Sequence, residues 1–191
     1  MPAGGLVGAG ADARTDYAGN GGAYYQMGGN AFQFTGPPTL ADGDREAWWN
    51  INMSWWVKDM TGTCFVRSQL KLTDIADGTS NTYLAGEKPL KVDFYETGQA
   101  PNDNQSMYSG YDWDTIRYAD TVITIKPDYQ ITGSDLSLLY YCFGSAHTTC
   151  CHFVFCDGSV HRIGYEINPV IHARLANRQD GMVVDRRDFA P

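Results

Sequence analysis

The chain has 191 residues, a formal net charge of −8, 43% hydrophobic residues and 19% charged residues. This composition excludes a disordered chain, and the acidic balance without any Lys/Arg cluster argues against nucleic acid and anionic membrane surfaces as partners. No apolar run approaches the roughly 18 residues that a membrane-spanning helix needs, and the first ten residues do not have the pattern of a signal peptide.

The length predicts a single domain, residues 1–191, in three parts. Residues 1–46 are rich in glycine and proline, and Asp16 to Gly22 is a run of turn formers, so we expect an irregular lobe with at most one short strand. Residues 47–181 are predicted to form a β-rich core, and residues 182–191 a tail that is charged and frayed from Asp185 onward.

Apolar residues alternate with polar ones from Trp49 to Val57, which predicts a half-buried strand. Further strands are predicted at residues 64–72, 83–88 and 122–125, a polar loop at 97–115, and a strand or short helix at 138–143. The tryptophans of the first strand favour core or interface packing over a binding platform for sugars or partners.

Asp157-Gly158 predicts a hairpin with a two-residue type I′ turn, because both central positions of that turn need a positive φ. The flanking strands, residues 152–156 and 159–163, would place Phe155 opposite Val160 and carry apolar residues on both faces, which indicates an interior strand pair. A helix is predicted at residues 169–178, with Asn168 as its N-cap and Asp180-Gly181 as its end.

The five cysteines are an odd number, so at least one is unpaired within a monomer. Cys142 with Cys150 is sterically the most reasonable disulfide, although Cys64 could be the partner of another cysteine. Cys151 and Cys156 have opposite strand parity and should not pair. The neutral to acidic surroundings of these thiols argue against a nucleophilic cysteine.

Two sets of residues are candidate metal ligands. The first, between His147 and Cys156, has ligand types that suit zinc but lacks the usual zinc spacing, and adjacent strand residues such as Cys151 and His152 point to opposite faces. The second is a set of carboxylates that could hold calcium, or that could equally stabilise turns. No cofactor is expected, and a divalent cation, calcium or zinc, remains possible with these candidate ligands: Asp77, Asn81, Glu87, His147 and Asp157.

Several segments together resemble one family. His147 is separated by nine residues from Asp157-Gly158, which resembles the His-x9-Asp-Gly motif of bacterial prepilin-type DUF1559 proteins. Further similar segments run from about residue 14 to residue 181: Arg14 to Gly22, Asp74 to Thr82 with Gly86-Glu87-Lys88, Asp112 to Arg117, and Leu175 to Gly181.

The resemblance implies an α+β, mostly β fold, with a pilin-like antiparallel sheet, long glycine-rich loops and a short C-terminal helix. It also implies an exported protein, located in the periplasm or at the cell surface. Members usually begin with a prepilin leader and a long apolar helix, and this chain is expected to correspond to the C-terminal globular part alone. The family has no established activity that could be carried over to any residue here.

These observations lead to three hypotheses. The first is a non-catalytic extracytoplasmic subunit, pilin-like or pseudopilin-like, that binds protein partners in a homo- or hetero-oligomeric assembly, with His147 in a structural role. The second is a metal-dependent enzyme or metal-regulated binder, and the third is a carbohydrate-binding module that uses the Trp-rich segment. The candidate partner-binding residues are Trp48, Trp49, Trp55, Trp56, Tyr111 and Trp113.

Overall fold

The structure is a computed structural model that describes residues 13–23, 36–133 and 139–189, except for the side chains of residues 53–59. Its main feature is a five-stranded sheet with the strand order β3-β1-β2-β6-β7, accompanied by a two-stranded sheet of β4 and β5. The strands are β1 (Tyr17–Ala23), β2 (Tyr83–Glu87), β3 (Ile116–Ala119), β4 (Lys126–Pro127), β5 (Gly144–Ser145), β6 (Cys150–Phe155) and β7 (Val160–Gly164); the helices are α1 (Leu40–Gly43), α2 (Glu46–Asp59) and α3 (Pro169–Ala176).

The fold is α+β, as the sequence predicts. The sheet itself is mixed, and this corrects the expected antiparallel sheet. Strand β2 pairs antiparallel with both β1 and β6, and β6 pairs antiparallel with β7, whereas β1 and β3 run parallel. Within the described residues, no helix is long and apolar enough to cross a membrane.

Strand β1 comes from the segment that the sequence marks as turn formers, so that interpretation is wrong for these residues. Its glycines are needed for close packing. A Cβ atom on Gly19 would lie 2.8 Å from the sulfur of Cys64, and one on Gly21 would lie 2.5 Å from the ring of Tyr118. Larger residues would push the strand away from the side chains that cover it. Glycine within strands commonly marks such a close approach.

Asn20 lies between these glycines and is fully buried. Its side-chain amide donates hydrogen bonds to the carbonyl oxygens of Tyr83 and Ala176, both at 2.9 Å, and its side-chain oxygen accepts one from the backbone N–H of Gly22. One buried side chain therefore joins β1 to β2 and to the end of α3, and its polar atoms are satisfied as burial requires.

The hairpin of β6 and β7 lies where the sequence predicts it, but its turn is different. The backbone N–H of Phe155 donates to Ser159, and that of Gly158 donates to Phe155. Only Gly158 has a positive φ, at 84°, so the connection is a three-residue loop with a glycine bulge and not a type I′ turn. Val154 therefore lies opposite Val160, one residue away from the predicted register.

Strand β7 lies at the edge of the described sheet, so only β6 of the predicted interior pair is an interior strand. The exposure of the two strands agrees with this placement. Phe153 and Phe155 of β6 are fully buried, whereas Val160 of β7 is 64% exposed.

The segment predicted as a strand from Trp49 to Val57 belongs to helix α2. Trp48 and Trp49 pack against a second apolar cluster that includes Met60 and Tyr118, and the indole N–H of Trp49 donates to the carbonyl of Gly43 at 2.7 Å. The strand preference of tryptophan depends on its surroundings, and here tertiary packing favours the helix.

Some of the remaining predicted elements are confirmed and others are wrong. Residues 64–72 and 122–125 form no strand, and short strands lie instead at β3 and β4. The predictions of β2 and of a loop over residues 97–115 are confirmed, and residue 138 of the 138–143 prediction lies outside the described residues. Val184 and Phe189, in or beside the segment predicted to be frayed, are buried in the main core.

Helix α3 is confirmed. The side chain of Asn168 accepts a hydrogen bond from the N–H of Val170 at 2.9 Å, and Pro169 occupies the first helical position. The helix ends at Ala176, before the predicted Asp180-Gly181, with Asn177 as its C-cap. It packs against β1 and β3 and covers one face of the sheet.

The core between α3 and the sheet contains a buried histidine. His172 is fully buried, its Nδ1 lies 3.3 Å from the hydroxyl of Tyr83, and its Nε2 has no hydrogen-bond partner. Burial lowers the pKa of His172 to about 3. A histidine of the unfolded chain titrates near pH ~6.5, so between these pH values the unfolded state binds more protons than the folded state.

The stability that neutral His172 contributes is therefore fully present above about pH 6.5 and is lost as the pH falls toward 3. We expect this residue to make the protein about 2–3 kcal/mol less stable at about pH 4.5 than at pH 7. Urea unfolding of His172→Gln at both pH values should show a pH dependence smaller by this amount. Val183→Ala, which changes an exposed residue without a titratable group, should keep the wild-type dependence, and equal dependence in all three proteins would contradict the account.

Candidate functional site

Three titratable side chains meet on the face of the sheet that α3 does not cover. His147 Nε2 lies 3.2 Å from Oε1 of Glu87, and His152 Nδ1 lies 3.2 Å from Oε2 of the same carboxylate. One ligand atom from each residue lies within 4.8 Å of the other two. We refer to these three residues as the Glu87 cluster.

The strand register brings Glu87 and His152 together. Gly86 of β2 pairs with Phe153 of β6, so the next residues along the two antiparallel strands, Glu87 and His152, are neighbours. The backbone N–H of His152 also donates to Oε2 of Glu87 at 2.7 Å. This bond fixes the carboxylate beside the imidazole, and the Glu87 side chain is only 14% exposed.

His147 reaches the cluster from the loop between β5 and β6. Its backbone N–H donates to the hydroxyl of Ser145 at 3.2 Å. The hydroxyl of Tyr165 lies within hydrogen-bonding distance of the carbonyl oxygens of His147, at 2.7 Å, and Cys150, at 2.9 Å. The loop is therefore held at its two ends, while the His147 side chain remains 54% exposed.

Two clefts lie beside the cluster, and Tyr17, Glu87 and His147 line both of them. The first cleft, of about 580 Å³, is apolar and extends over Ala85, Val154 and Val160. The second, of about 450 Å³, is more polar and includes Lys88, Tyr95 and Asp128. A small ligand, a water molecule or a side chain of another protein could reach the cluster through either cleft.

The other predicted metal ligands serve in hydrogen bonds elsewhere. The buried carboxylate of Asp77 accepts from the N–H groups of Asp180 and Gly181, at 2.9 and 2.8 Å. The amide of Asn81 donates to the carbonyl of Asp77. Asp157 accepts from the N–H and hydroxyl of Ser159, and these bonds lower its pKa. Of the five candidates, the structure therefore groups Glu87 and His147 and adds His152.

All five cysteines are free thiols, so the predicted Cys142–Cys150 disulfide is not present in the structure. Burial raises the pKa of Cys142 to about 11 and that of Cys151 well above its usual value. The pKa of Cys156 is also about 11, because of burial and then of the nearby Cys64 and Asp157. These thiols stay protonated at neutral pH and are poor nucleophiles.

The aromatic residues that the sequence singles out are used mainly in packing. Trp48 and Trp49 are partly buried against the second apolar cluster, and the Arg67 guanidinium lies 4.8 Å from the centre of the Trp49 ring. Tyr111 belongs to the same cluster, and the ring centroids of Trp113 and Tyr140 are 4.4 Å apart. The side chains of Trp55 and Trp56 lie outside the described residues.

The sequence pattern does not connect His152 with Glu87, because the two residues are 65 positions apart along the chain. Strand parity correctly placed His152 on the opposite face from Cys151, which is fully buried in the core. Parity alone does not identify the neighbouring strand, so the carboxylate on that face was not recognisable as a partner of His152.

Comparison with known proteins agrees with the motif resemblance. A family model described as "Protein of unknown function (DUF1559)" matches residues 7–170 of the chain, a range that includes all three residues of the Glu87 cluster. No curated protein and no solved structure matches the chain.

The hydroxyl of Tyr165 gives a test of how the His147 loop is held. Tyr165→Phe should lower the free energy of unfolding by about 0.5–1.5 kcal/mol, because the partly exposed carbonyl groups of His147 and Cys150 lose a hydrogen-bond donor. Hydrogen–deuterium exchange of residues 146–150 should become faster. Tyr108→Phe is the matched control, because Tyr108 is 80% exposed. Unchanged exchange in Tyr165→Phe would show that this hydroxyl does not hold the loop.

Proposed function

We propose a function from the premise that the family match gives: this chain belongs to the DUF1559 family of proteins of unknown function. The proposal is that the chain is a non-catalytic subunit that binds protein partners in a larger assembly outside the cytoplasm. The pilin-like or pseudopilin-like character and the extracytoplasmic location are parts of this proposal that rest on the motif resemblance. The partner-binding role rests on an apolar patch of the sheet surface.

The observation that carries the proposal is a partly exposed apolar patch at the β2, β6 and β7 side of the sheet face opposite to α3. The β1 and β3 side of that face is covered by the second apolar cluster, against which Trp48 and Trp49 of α2 pack. Cys151, Phe153 and Phe155 of β6 point into the core, so His152 and Val154 point to the other side. We call this side the open face; its residues are Tyr17, Ala85, Glu87, His152, Val154 and Val160. Tyr17 is 60% exposed and Val160 is 64% exposed.

Exposed apolar residues that surround a cleft are typical of a surface that another protein covers. The apolar cleft of about 580 Å³ is lined by the small residue Ala85 together with Tyr17 and Val160. We propose that the occupant is an apolar segment of a protein partner with basic residues at its margin. The chain's net charge of −8 favours such a partner over an acidic one.

The absence of catalysis in this proposal is supported by the state of the thiols and of the buried histidine. The raised pKa values of Cys142 and Cys156, both about 11, leave little thiolate at neutral pH. The lowered pKa of His172, about 3, keeps its imidazole neutral inside the core. None of these groups is prepared for nucleophilic or acid–base chemistry.

A second candidate function, a metal-regulated binder, is favoured by the Glu87 cluster, which borders the same open face. The carbohydrate-binding alternative depended on a tryptophan platform. Trp48 and Trp49 lie edge to face, with an angle of 82° between their rings, and they pack on the second apolar cluster, so these two do not form a flat surface for a sugar ring. The side chains of Trp55 and Trp56, the other residues of that alternative, lie outside the described residues.

Site-specific photo-crosslinking in the source cells tests the open face. With p-benzoylphenylalanine in place of Val160, irradiation should give a discrete adduct with another protein, which mass spectrometry would identify. The matched control carries the same group in place of Val183, which is 68% exposed and does not line the cleft. Adducts that are absent at Val160, or equally abundant at Val183, would contradict the proposal.

A further inference from the structure

We propose that Glu87, His147 and His152 form a zinc-binding site with one open coordination position. The proposal does not depend on the partner-binding function, because it concerns the affinity of the purified chain for a metal ion. It rests on the geometry of the three side chains, on their chemical type, on the contacts that hold them in place and on the clefts beside them.

The distances suit a tetrahedral ion. Two ligand atoms that each lie about 2.0–2.1 Å from zinc, at a tetrahedral angle, are about 3.3 Å apart. His147 Nε2 lies 3.2 Å from Oε1 of Glu87, and His152 Nδ1 lies 3.2 Å from Oε2, so each nitrogen faces one oxygen of the same carboxylate. The rings of the two histidines are in edge-to-face contact, with centroids 4.9 Å apart, and one ligand atom from each of the three residues lies within 4.8 Å of the others.

The ligand types favour zinc over calcium and iron(II). Calcium needs six or more oxygen ligands, and within the cluster only the carboxylate of Glu87 supplies oxygen. Two imidazoles and one carboxylate also suit iron(II), but at sites of nitrogen and oxygen ligands zinc binds more tightly than iron(II). Zinc sites with three protein ligands commonly keep a fourth position for water or another group.

The backbone holds the ligands in position before any ion binds. The N–H of His152 donates to Oε2 of Glu87 at 2.7 Å and so orients the carboxylate. The contacts of Tyr165 with the carbonyls of His147 and Cys150 hold the loop that carries the third ligand. Hydrogen bonds of this kind around the ligands raise the metal affinity, because less conformational freedom is lost on binding.

The fourth position is accessible. Both clefts are lined by Glu87 and His147, so a water molecule or a side chain from another molecule can approach the ion from two directions. A zinc ion here would lie at the margin of the open face. A partner that supplied a carboxylate or imidazole as the fourth ligand would then bind in a zinc-dependent way.

The competing explanation of the cluster is that Glu87 pairs with His147 and with His152 without any metal ion. Such pairs between partly exposed side chains contribute little to stability, and they do not require the three ligand atoms to converge. The two explanations differ in one measurable property, because only a metal site binds zinc with an affinity that depends on all three side chains.

The test is isothermal titration of zinc chloride into the purified full chain in the presence of a non-chelating reductant. We expect one zinc ion per chain with a Kd below about 10 µM, and a loss of at least about tenfold in affinity for His147→Gln, for His152→Gln and for Glu87→Gln. His161→Gln is the matched control, because His161 lies on the same hairpin and contacts Ser159, not the cluster.

Far-UV circular dichroism would verify that each variant is folded; His147→Gln keeps the test valid if another variant is not, because its side chain is 54% exposed. Absence of saturable zinc binding would overturn the proposal. Equal affinity in the wild type and His147→Gln would place the metal elsewhere, for example on the free thiols, and would also overturn it. Tighter binding of calcium or iron(II) than of zinc would overturn the zinc assignment.

Discussion

The hydrogen bond from the backbone N–H of His152 to the carboxylate of Glu87, 2.7 Å long, depends on one register between β2 and β6, and the candidate site depends on that register. A shift of one residue would turn every side chain of β6 to the other face of the sheet. The buried row of Cys151, Phe153 and Phe155 prevents this shift, because it would expose two aromatic rings and bury a histidine. The packing of the core thus fixes which face carries the functional side chains.

The two faces of the sheet have different roles as a consequence. On the core face, α3 covers the strands, and buried polar groups such as the Asn20 amide are paired with backbone carbonyls. On the open face, Tyr17 and Val160 remain exposed beside a carboxylate and two imidazoles. A surface that combines apolar area with groups able to bind a metal ion is suited to a regulated contact with another protein, and this is the common basis of the two proposals above.

The sequence predicts the elements whose signals are local. Asn168 and Pro169 mark the start of α3, and Gly158 marks the hairpin loop, although the single positive φ gives a three-residue loop and a different register. The strand predicted over residues 49–57 is wrong because the alternation with a period of two is accompanied by a helical spacing of the tryptophans. The doublets Trp48-Trp49 and Trp55-Trp56 are seven residues apart, which is two turns of a helix. Strand β1 was missed because Gly19 and Gly21, which normally indicate turns, are required there by the close approach of Cys64 and Tyr118. The Glu87 cluster was only half visible, since strand pairing across 65 residues, and not spacing, places Glu87 beside His152.

The central claim is that His147 belongs to a metal site at the margin of the open face. Anomalous diffraction at the zinc absorption edge, from crystals grown with one equivalent of zinc, tests it most directly. The account predicts one strong anomalous peak, about 2.0–2.1 Å from His147 Nε2, His152 Nδ1 and an oxygen of Glu87. A crystal with no peak at this position, or with its main peak at the thiols of Cys64 and Cys156, would contradict it.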